Sequence, residues 1–194
     1  MRKAVLKRRQ LKFDEINQLV EEIGCESEEE YRALPPAEKR IRKDKFWDCL
    51  WGWLIDGWAA GLLFTGEDKD IPDLTSLLDY AYPRGETTSS IYDKDITDKE
   101  KLKVMIEAEA NRCFNTGVMK AGEGTVGFVK TWETMGDERV RLSHEYLEGM
   151  TIPLEEEFIT IGGDSALAPG MFKDPENNVN CRCWVTLKQG NRAK

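Results

Sequence analysis

Apolar side chains in the first third of the chain recur every three or four residues, which is the spacing of one face of an α-helix. Between positions 16 and 23 this pattern predicts a helix that stops at Gly24. Ser27 followed by Glu30 is a capping-box pattern, which predicts a second, short helix. Pro35-Pro36 breaks that helix and can start the next one, because proline is tolerated in a first helical turn.

The most apolar stretch runs from Phe46 to Phe64 and contains four tryptophans. Asp48, Gly52 and Asp56 recur every four residues and would form one polar stripe on a helix. An Asp near the centre of a membrane-spanning helix costs ~2.5–3.5 kcal/mol, so we expect no membrane partner. A helix this apolar is buried either in the core of its own chain, which we favour, or against a partner protein.

The second half of the chain begins with a break in the helical pattern. Residues 65–96 are rich in Asp, Pro, Gly, Ser and Thr, which predicts a long irregular connection. The capping pattern of residues 97–100 then predicts a long helix that ends at Gly117, Gly122 and Gly124. The segments predicted after this helix are strands over residues 125–132, 151–161 and 181–187 and a short helix over residues 137–147.

Helices that precede a mixture of strands and helices indicate an α+β fold. We expect an N-terminal helical region over residues 1–64, followed by the irregular connection over residues 65–96. A small mixed unit over residues 97–194 would then contain a long helix, a short helix and a small antiparallel sheet.

Composition narrows the classes of protein that this chain can represent. Hydrophobic residues make up 40% of the 194 residues and charged residues 33%, which favours a folded chain. Five cysteines are an odd number, which fits a reduced setting better than a secreted disulfide scaffold. The single histidine excludes metal centres and mechanisms that need two histidines.

The charge distribution leaves one candidate contact with nucleic acid. The net charge of −8 repels DNA over the chain as a whole, so any contact must be local. The basic N-terminus could touch DNA electrostatically, although a merely solvated terminus is the favoured interpretation. The candidate residues are Arg2, Lys3, Lys7, Arg8, Arg9 and Lys12.

The last 65 residues carry an ordered series of short motifs. A tryptophan is followed by Asp-x-Arg-Val-Arg-x-x-His, by Leu-x-Gly and by a closing Asn-Cys-Arg-Cys segment. Over about residues 109–187 the chain resembles the phage Mu protein F-like family of minor head proteins, also called phage head morphogenesis proteins. The motif residues are Trp132, Asp137, Arg139, Arg141, His144, Gly149, Asn180, Cys181, Arg182 and Cys183.

The resemblance implies a structural minor head protein of a tailed phage or prophage, acting in head morphogenesis near the portal. Its expected partners are the portal protein and other head proteins, with packaged DNA as a weaker candidate. Its expected location is the virion head, and the host cytoplasm during assembly. The alternatives are an ADP-ribosyltransferase-like toxin, suggested by toxins associated with the family, and a thiol enzyme in which His144 activates Cys181 or Cys183. We favour a protein without enzymatic activity, because the sequence has no nucleophile motif and no glycine-rich phosphate loop.

The motif residues also raise the question of a metal. Some members of the family carry Cys-x-x-Cys where this chain has Arg141 and His144, and four sulfur atoms could there hold zinc. Arg141 cannot ligate, so the candidate zinc ligands here are His144, Cys181 and Cys183, with Asp137 as a substitute for the fourth. The favoured interpretation is a packed structural junction without a cofactor, in which the motif residues from Asp137 to Cys183 cluster in space.

Overall fold

The computed structural model describes residues 15–66, 69–70 and 96–190. Residues 15–23 are helical and form α1, and the longer helices α3 and α4 follow the short helix α2. The named helices are α2 (Glu28–Ala33), α3 (Pro36–Thr65), α4 (Lys99–Gly122) and α5 (Leu142–Glu145). The strands are β1 (Phe128–Glu133), β2 (Thr151–Pro153), β3 (Phe158–Ile159), β4 (Ser165–Ala166) and β5 (Trp184–Gln189). The predicted α+β class is confirmed.

Local capping fixes where the helices begin. The Ser27 hydroxyl accepts a hydrogen bond from the Glu30 N–H at 3.2 Å, and the Glu30 carboxylate accepts one from the Glu26 N–H at 2.7 Å. In α4 the cap is Asp98, whose carboxylate accepts from the Lys101 N–H at 3.1 Å. The helix thus starts one residue later than a cap at Thr97 would give, because the Asp98 carboxylate takes the free N–H group.

The tryptophan-rich stretch lies within α3, which ends at Gly66 in a left-handed conformation with φ 69°. The chain buries one side of this helix itself, including Phe46, Trp53 and Trp58. Asp56 is buried as well, with 8% of its surface exposed, so the predicted polar stripe does not face solvent along its whole length. No helix within the described ranges is long and apolar enough to cross a membrane.

Helices α3 and α4 touch through their backbones at glycine residues. A Cβ atom at Gly57 would lie 1.9 Å from the Phe114 carbonyl oxygen, and one at Gly117 would lie 2.2 Å from the Leu54 carbonyl oxygen. The prediction that Gly117 ends a helix is wrong, since α4 continues to Gly122. Gly117 is a contact residue there, because only a missing side chain lets two helices approach this closely.

The main sheet has the antiparallel strand order β2-β1-β5, and both long helices pack against β5. Trp132 of β1 pairs with Val185 of β5, while Val129 pairs with Pro153 of β2. Two predicted strands differ from the observed ones. Residues 151–161 contain β2 and β3 as separate short strands, and β5 begins only at Trp184, so residues 181–183 precede it. Trp184, at the start of β5, is fully buried.

Lys130 of β1 is a buried cation inside this sheet unit, with no exposed surface. Its Nζ donates to the Leu154 carbonyl oxygen at 2.8 Å and lies 5.3 Å from the centre of the Phe158 ring. Burial lowers the pKa of Lys130 to about 8, although nearby glutamates oppose that change.

We expect Gly57→Ala to lower the free energy of unfolding by about 1–3 kcal/mol, because the new methyl group forces α3 and α4 apart. Thermal unfolding followed by circular dichroism measures the change. The matched control is Gly162→Ala, where the nearest heavy atom to the new Cβ is the Thr160 hydroxyl oxygen at 3.8 Å. Equal melting temperatures for the two variants would contradict the close helix contact.

We expect the free energy of unfolding to change with pH because Lys130 titrates differently in the folded and unfolded chain. Its folded pKa of about 8 lies below the ordinary lysine pKa of 10.5, so the unfolded chain binds more protons between these pH values. Stability therefore rises with pH in this window, by up to ~3 kcal/mol, relative to Lys130→Met. Denaturant unfolding of both proteins from pH 7 to 10.5 gives the difference, in which the other titrating groups cancel. A difference that stays constant over this range would refute the lowered pKa.

Candidate functional site

The short helix α5 carries the single histidine of the chain. This helix is shorter than the predicted segment 137–147. Asp137 does not begin it but lies in a separate turn, in which the Val140 N–H donates to the Asp137 carbonyl oxygen at 3.0 Å. Within α5 the His144 N–H donates to the Arg141 carbonyl oxygen at 2.9 Å. His144 is 1% exposed, so α5 presents its imidazole to the interior.

Gly149 and Trp132 attach the end of this segment to strand β1. The Gly149 N–H donates to the Trp132 carbonyl oxygen at 2.9 Å, and the Trp132 N–H donates to the Met150 carbonyl oxygen at 3.0 Å. Gly149 has a φ of 74°, a left-handed conformation that favours glycine. These two hydrogen bonds fix the position of α5 over the Trp132 indole.

Aromatic rings enclose the imidazole of His144. Trp132 meets it edge to face, with ring centres 5.4 Å apart and planes at 76°. Phe172 stacks on it at 5.4 Å and 24°. Asn178 holds Phe172 in place, since its side chain accepts from the Phe172 N–H at 3.0 Å and donates to the Phe172 carbonyl oxygen at 2.7 Å. The ring orientation of His144 is therefore determined by packing.

Both thiols of the Cys-Arg-Cys segment converge on one nitrogen of this ring. The Sγ atoms of Cys181 and Cys183 each lie 3.6 Å from His144 Nδ1, and the three atoms are all within 4.8 Å of one another. Both cysteines are 3% exposed and reduced. The hydrogen bond from Cys183 and the nearby imidazole hold the pKa of the Cys181 thiol well below its usual range, against the effect of burial. Asn180, with a φ of 55°, turns the chain into this segment.

Arg182, between the two cysteines, pairs with Asp137. Its guanidinium donates to the two carboxylate oxygens at 2.6 and 2.9 Å, and this pairing lowers the pKa of Asp137. Arg139 and Arg141 are nearer to Asp137 in the sequence than Arg182 is. The partner of Asp137 is instead Arg182, and Arg141 donates to the Val179 carbonyl oxygen. The ion pair and this hydrogen bond attach the segment before β5 to the turn before α5.

A small pocket opens from the surface toward the imidazole and the two thiols. Its rim is rich in arginine, and its floor reaches the ligand-type atoms of the site. The lining residues are Met135, Arg139, Val140, Arg141, His144, Asn180, Cys181, Arg182 and Cys183. The structure therefore brings the motif residues from Arg139 to Cys183 to one place.

Asn115 supports this site from α4, a role that the sequence motifs do not indicate. Its buried amide nitrogen donates to the carbonyl oxygens of Asn111, Pro169 and Cys183 at 3.0, 3.1 and 3.3 Å. Its carbonyl oxygen accepts from the Val185 N–H at 3.0 Å. The available signal is a buried amide side chain among apolar neighbours of α4 such as Cys113, Phe114 and Val118, because a buried amide needs hydrogen-bond partners.

Two other predicted features lie outside the described residues. One is most of the irregular connection, since residues 71–95 are not described. The other is the basic N-terminus, which remains a sequence prediction as a DNA contact. Its residues are Arg2, Lys3, Lys7, Arg8, Arg9 and Lys12.

The chain belongs to the family of phage Mu protein F like proteins, because the model of that family matches residues 72–186, more than half of the chain. The resemblance that the motifs carry is thus confirmed. The match begins well before residue 109, so it includes all of α4 and part of the connection before it.

Two curated proteins are similar to parts of the chain. Minor head protein GP7 of Bacillus phage SPP1 is 31% identical over 86 residues, which cover 43% of this chain and 28% of that protein. The NAD(+)--arginine ADP-ribosyltransferase EFV of Enterococcus faecalis is 39% identical over 67 residues, which cover 34% of this chain and 14% of that enzyme. The chain thus spans less than a third of either relative. No solved structure matches it.

The family and the similarity to GP7 support a phage head protein with a structural role. The similarity to the ADP-ribosyltransferase covers too little of that enzyme to carry its activity to this chain.

We expect Asn115→Ala to lower the free energy of unfolding by about 2–4 kcal/mol, because it leaves the buried N–H of Val185 and several carbonyl groups without their partner. Urea unfolding measures this loss. Asn177→Ala is the matched control, since its half-buried amide donates one hydrogen bond to Asp164, and we expect it to cost less than about 1 kcal/mol. Similar losses for both variants would count against the central role of Asn115.

Proposed function

We propose that this chain is a minor head protein that acts in head morphogenesis near the portal of a tailed phage or prophage. It would contact the portal protein and other head proteins in the host cytoplasm during assembly, and it would remain in the virion head. The observation that carries this proposal is the family match over residues 72–186, supported by the similarity to minor head protein GP7.

The motif residues that the structure brings together around His144, from Asp137 to Cys183, form what we call the motif cluster. Its geometry supports a structural role for these residues. The Asp137–Arg182 pair and the Asn115 amide form their hydrogen bonds with groups of the same chain. They join the long helix α4, the turn before α5 and the start of β5, three parts that are far apart in sequence. A surface assembled in this way is preformed, so binding a head protein would not require ordering it first.

A reaction at the thiols is less well supported by the same geometry. A nucleophilic cysteine must meet its substrate, and such residues are ordinarily accessible as well as activated. Cys181 and Cys183 are each only 3% exposed, and Trp132 and Phe172 cover the imidazole beside them. The proposal therefore assigns no catalytic step to this site.

Coexpression with the portal protein of the same phage tests the proposal. We expect the chain to copurify with the portal oligomer through size-exclusion chromatography, and to be present in isolated heads by mass spectrometry. Asn177→Ala, a control outside the motif cluster, should copurify like the wild type. A portal oligomer from an unrelated phage should not retain the chain.

Two results would overturn the proposal. One is a folded chain that stays separate from its own portal and from every other head protein. The other is assembly of normal heads in normal number from a phage that lacks the chain.

A further inference from the structure

We propose that His144, Cys181 and Cys183 form a zinc site, with His144 Nδ1 and the two Sγ atoms as ligands. These are a borderline nitrogen donor and two soft sulfur donors, the combination that zinc selects in proteins. They come from α5 and from the segment before β5, so one ion would bridge two elements. This inference is independent of the proposed role in the phage head.

The distances fit a tetrahedral ion. Zinc bonds of about 2.3 Å to sulfur and about 2.05 Å to nitrogen, at tetrahedral angles, place N and S about 3.6 Å apart. Both Nδ1–Sγ distances are 3.6 Å. The same bond lengths place the two sulfur atoms about 3.8 Å apart, within the observed limit of 4.8 Å.

A single hydrogen bond to Nδ1 accounts for only one of these two sulfur contacts. An imidazole nitrogen has either one hydrogen or one lone pair in the ring plane, so it makes one well-directed hydrogen bond. Here two sulfur atoms approach Nδ1 at equal distances. A metal ion bonded to all three atoms would satisfy each of them.

The surroundings suit a neutral metal centre. All three ligand residues are between 1 and 3% exposed. Two thiolates and a neutral imidazole balance the charge of Zn²⁺, so the loaded site would bury no net charge, and isolated buried charge is costly. Trp132 and Phe172 fix the plane of the ring from two sides. The site is thus preorganised on its protein side.

The three ligand residues line the small pocket, which offers space for a fourth ligand. Asp137, the substitute ligand that the sequence suggested, is committed to Arg182 and does not belong to the group of ligand atoms. The arginines that line the pocket favour a small anion or water at that position. The protein supplies three ligands and leaves one position open, in contrast to structural zinc sites, which usually have four protein ligands.

The affinity should be lower than in sites with a hydrogen-bonded histidine. A ligating histidine ordinarily donates its second N–H to a carboxylate or carbonyl group, and loss of that partner costs 10- to 100-fold in affinity. The Nε2 atom of His144 is buried without a hydrogen-bond partner among the described residues. We therefore expect a chelator to remove the zinc within a purification.

The test uses full-length, tag-free protein purified with a phosphine reductant and without chelator. We expect close to one zinc per chain by elemental analysis. Cobalt(II) added to the chelator-treated protein should give thiolate charge-transfer and tetrahedral ligand-field bands that saturate at one equivalent and disappear when zinc is added. At zinc concentrations a hundredfold above Kd, the melting temperature should rise by roughly 5–10 °C.

Cys181→Ser and Cys183→Ser should each retain less than one tenth of the zinc. Cys113→Ser is the matched control, a buried cysteine on α4 outside the ligand group, and it should bind like the wild type. If either ligand variant fails to fold, the cobalt titration of the wild type decides alone. The proposal would be overturned by less than one tenth of an equivalent of zinc together with no cobalt–thiolate band. One equivalent of copper in place of zinc would overturn it as well.

Discussion

The hydrogen bonds of the Asn115 amide are the interaction on which the arrangement of α4, the loop at Pro169 and the chain before β5 depends. At this buried side chain, α4, the chain before β5 and the loop at Pro169 exchange hydrogen bonds. An amide in that position has no water to replace a lost partner, so all three segments must be in place together. The position of the two thiols beside His144 is a consequence, because the Cys183 carbonyl group is one of the groups that Asn115 binds.

The motif cluster consists of a buried half and an exposed half. The imidazole, the two thiols and the aromatic rings form the buried half. Asp137, Arg182 and Arg141 form the other half and attach the same segments to each other at the surface. The order Cys181, Arg182, Cys183 places this division within one segment, since the two thiols reach His144 and the guanidinium between them reaches Asp137. One short segment thus contributes to both halves.

Sequence patterns predicted the local features well, because their causes lie within a few residues. The Ser27 cap and the run of α3 through its tryptophans are examples. The ion pair of Asp137 has no local signal, because its partner, Arg182, is 45 residues away. The sequence predicts a helix end at Gly117, because a glycine that ends a helix and a glycine that lets a second helix approach look alike in a sequence. The role of Asn115 depends on Pro169, Cys183 and Val185, which are 54 to 70 residues away, and no local pattern encodes such partners.

The backbone contact between α3 and α4 has a mechanical consequence. Side chains can absorb small displacements by changing rotamer, but Gly57 and Gly117 place main chain directly on main chain. The two helices therefore cannot slide gradually past each other, and a packed contact of this kind either holds or separates. A displacement of α3 would therefore move α4 with it and reach β5, against which both helices pack.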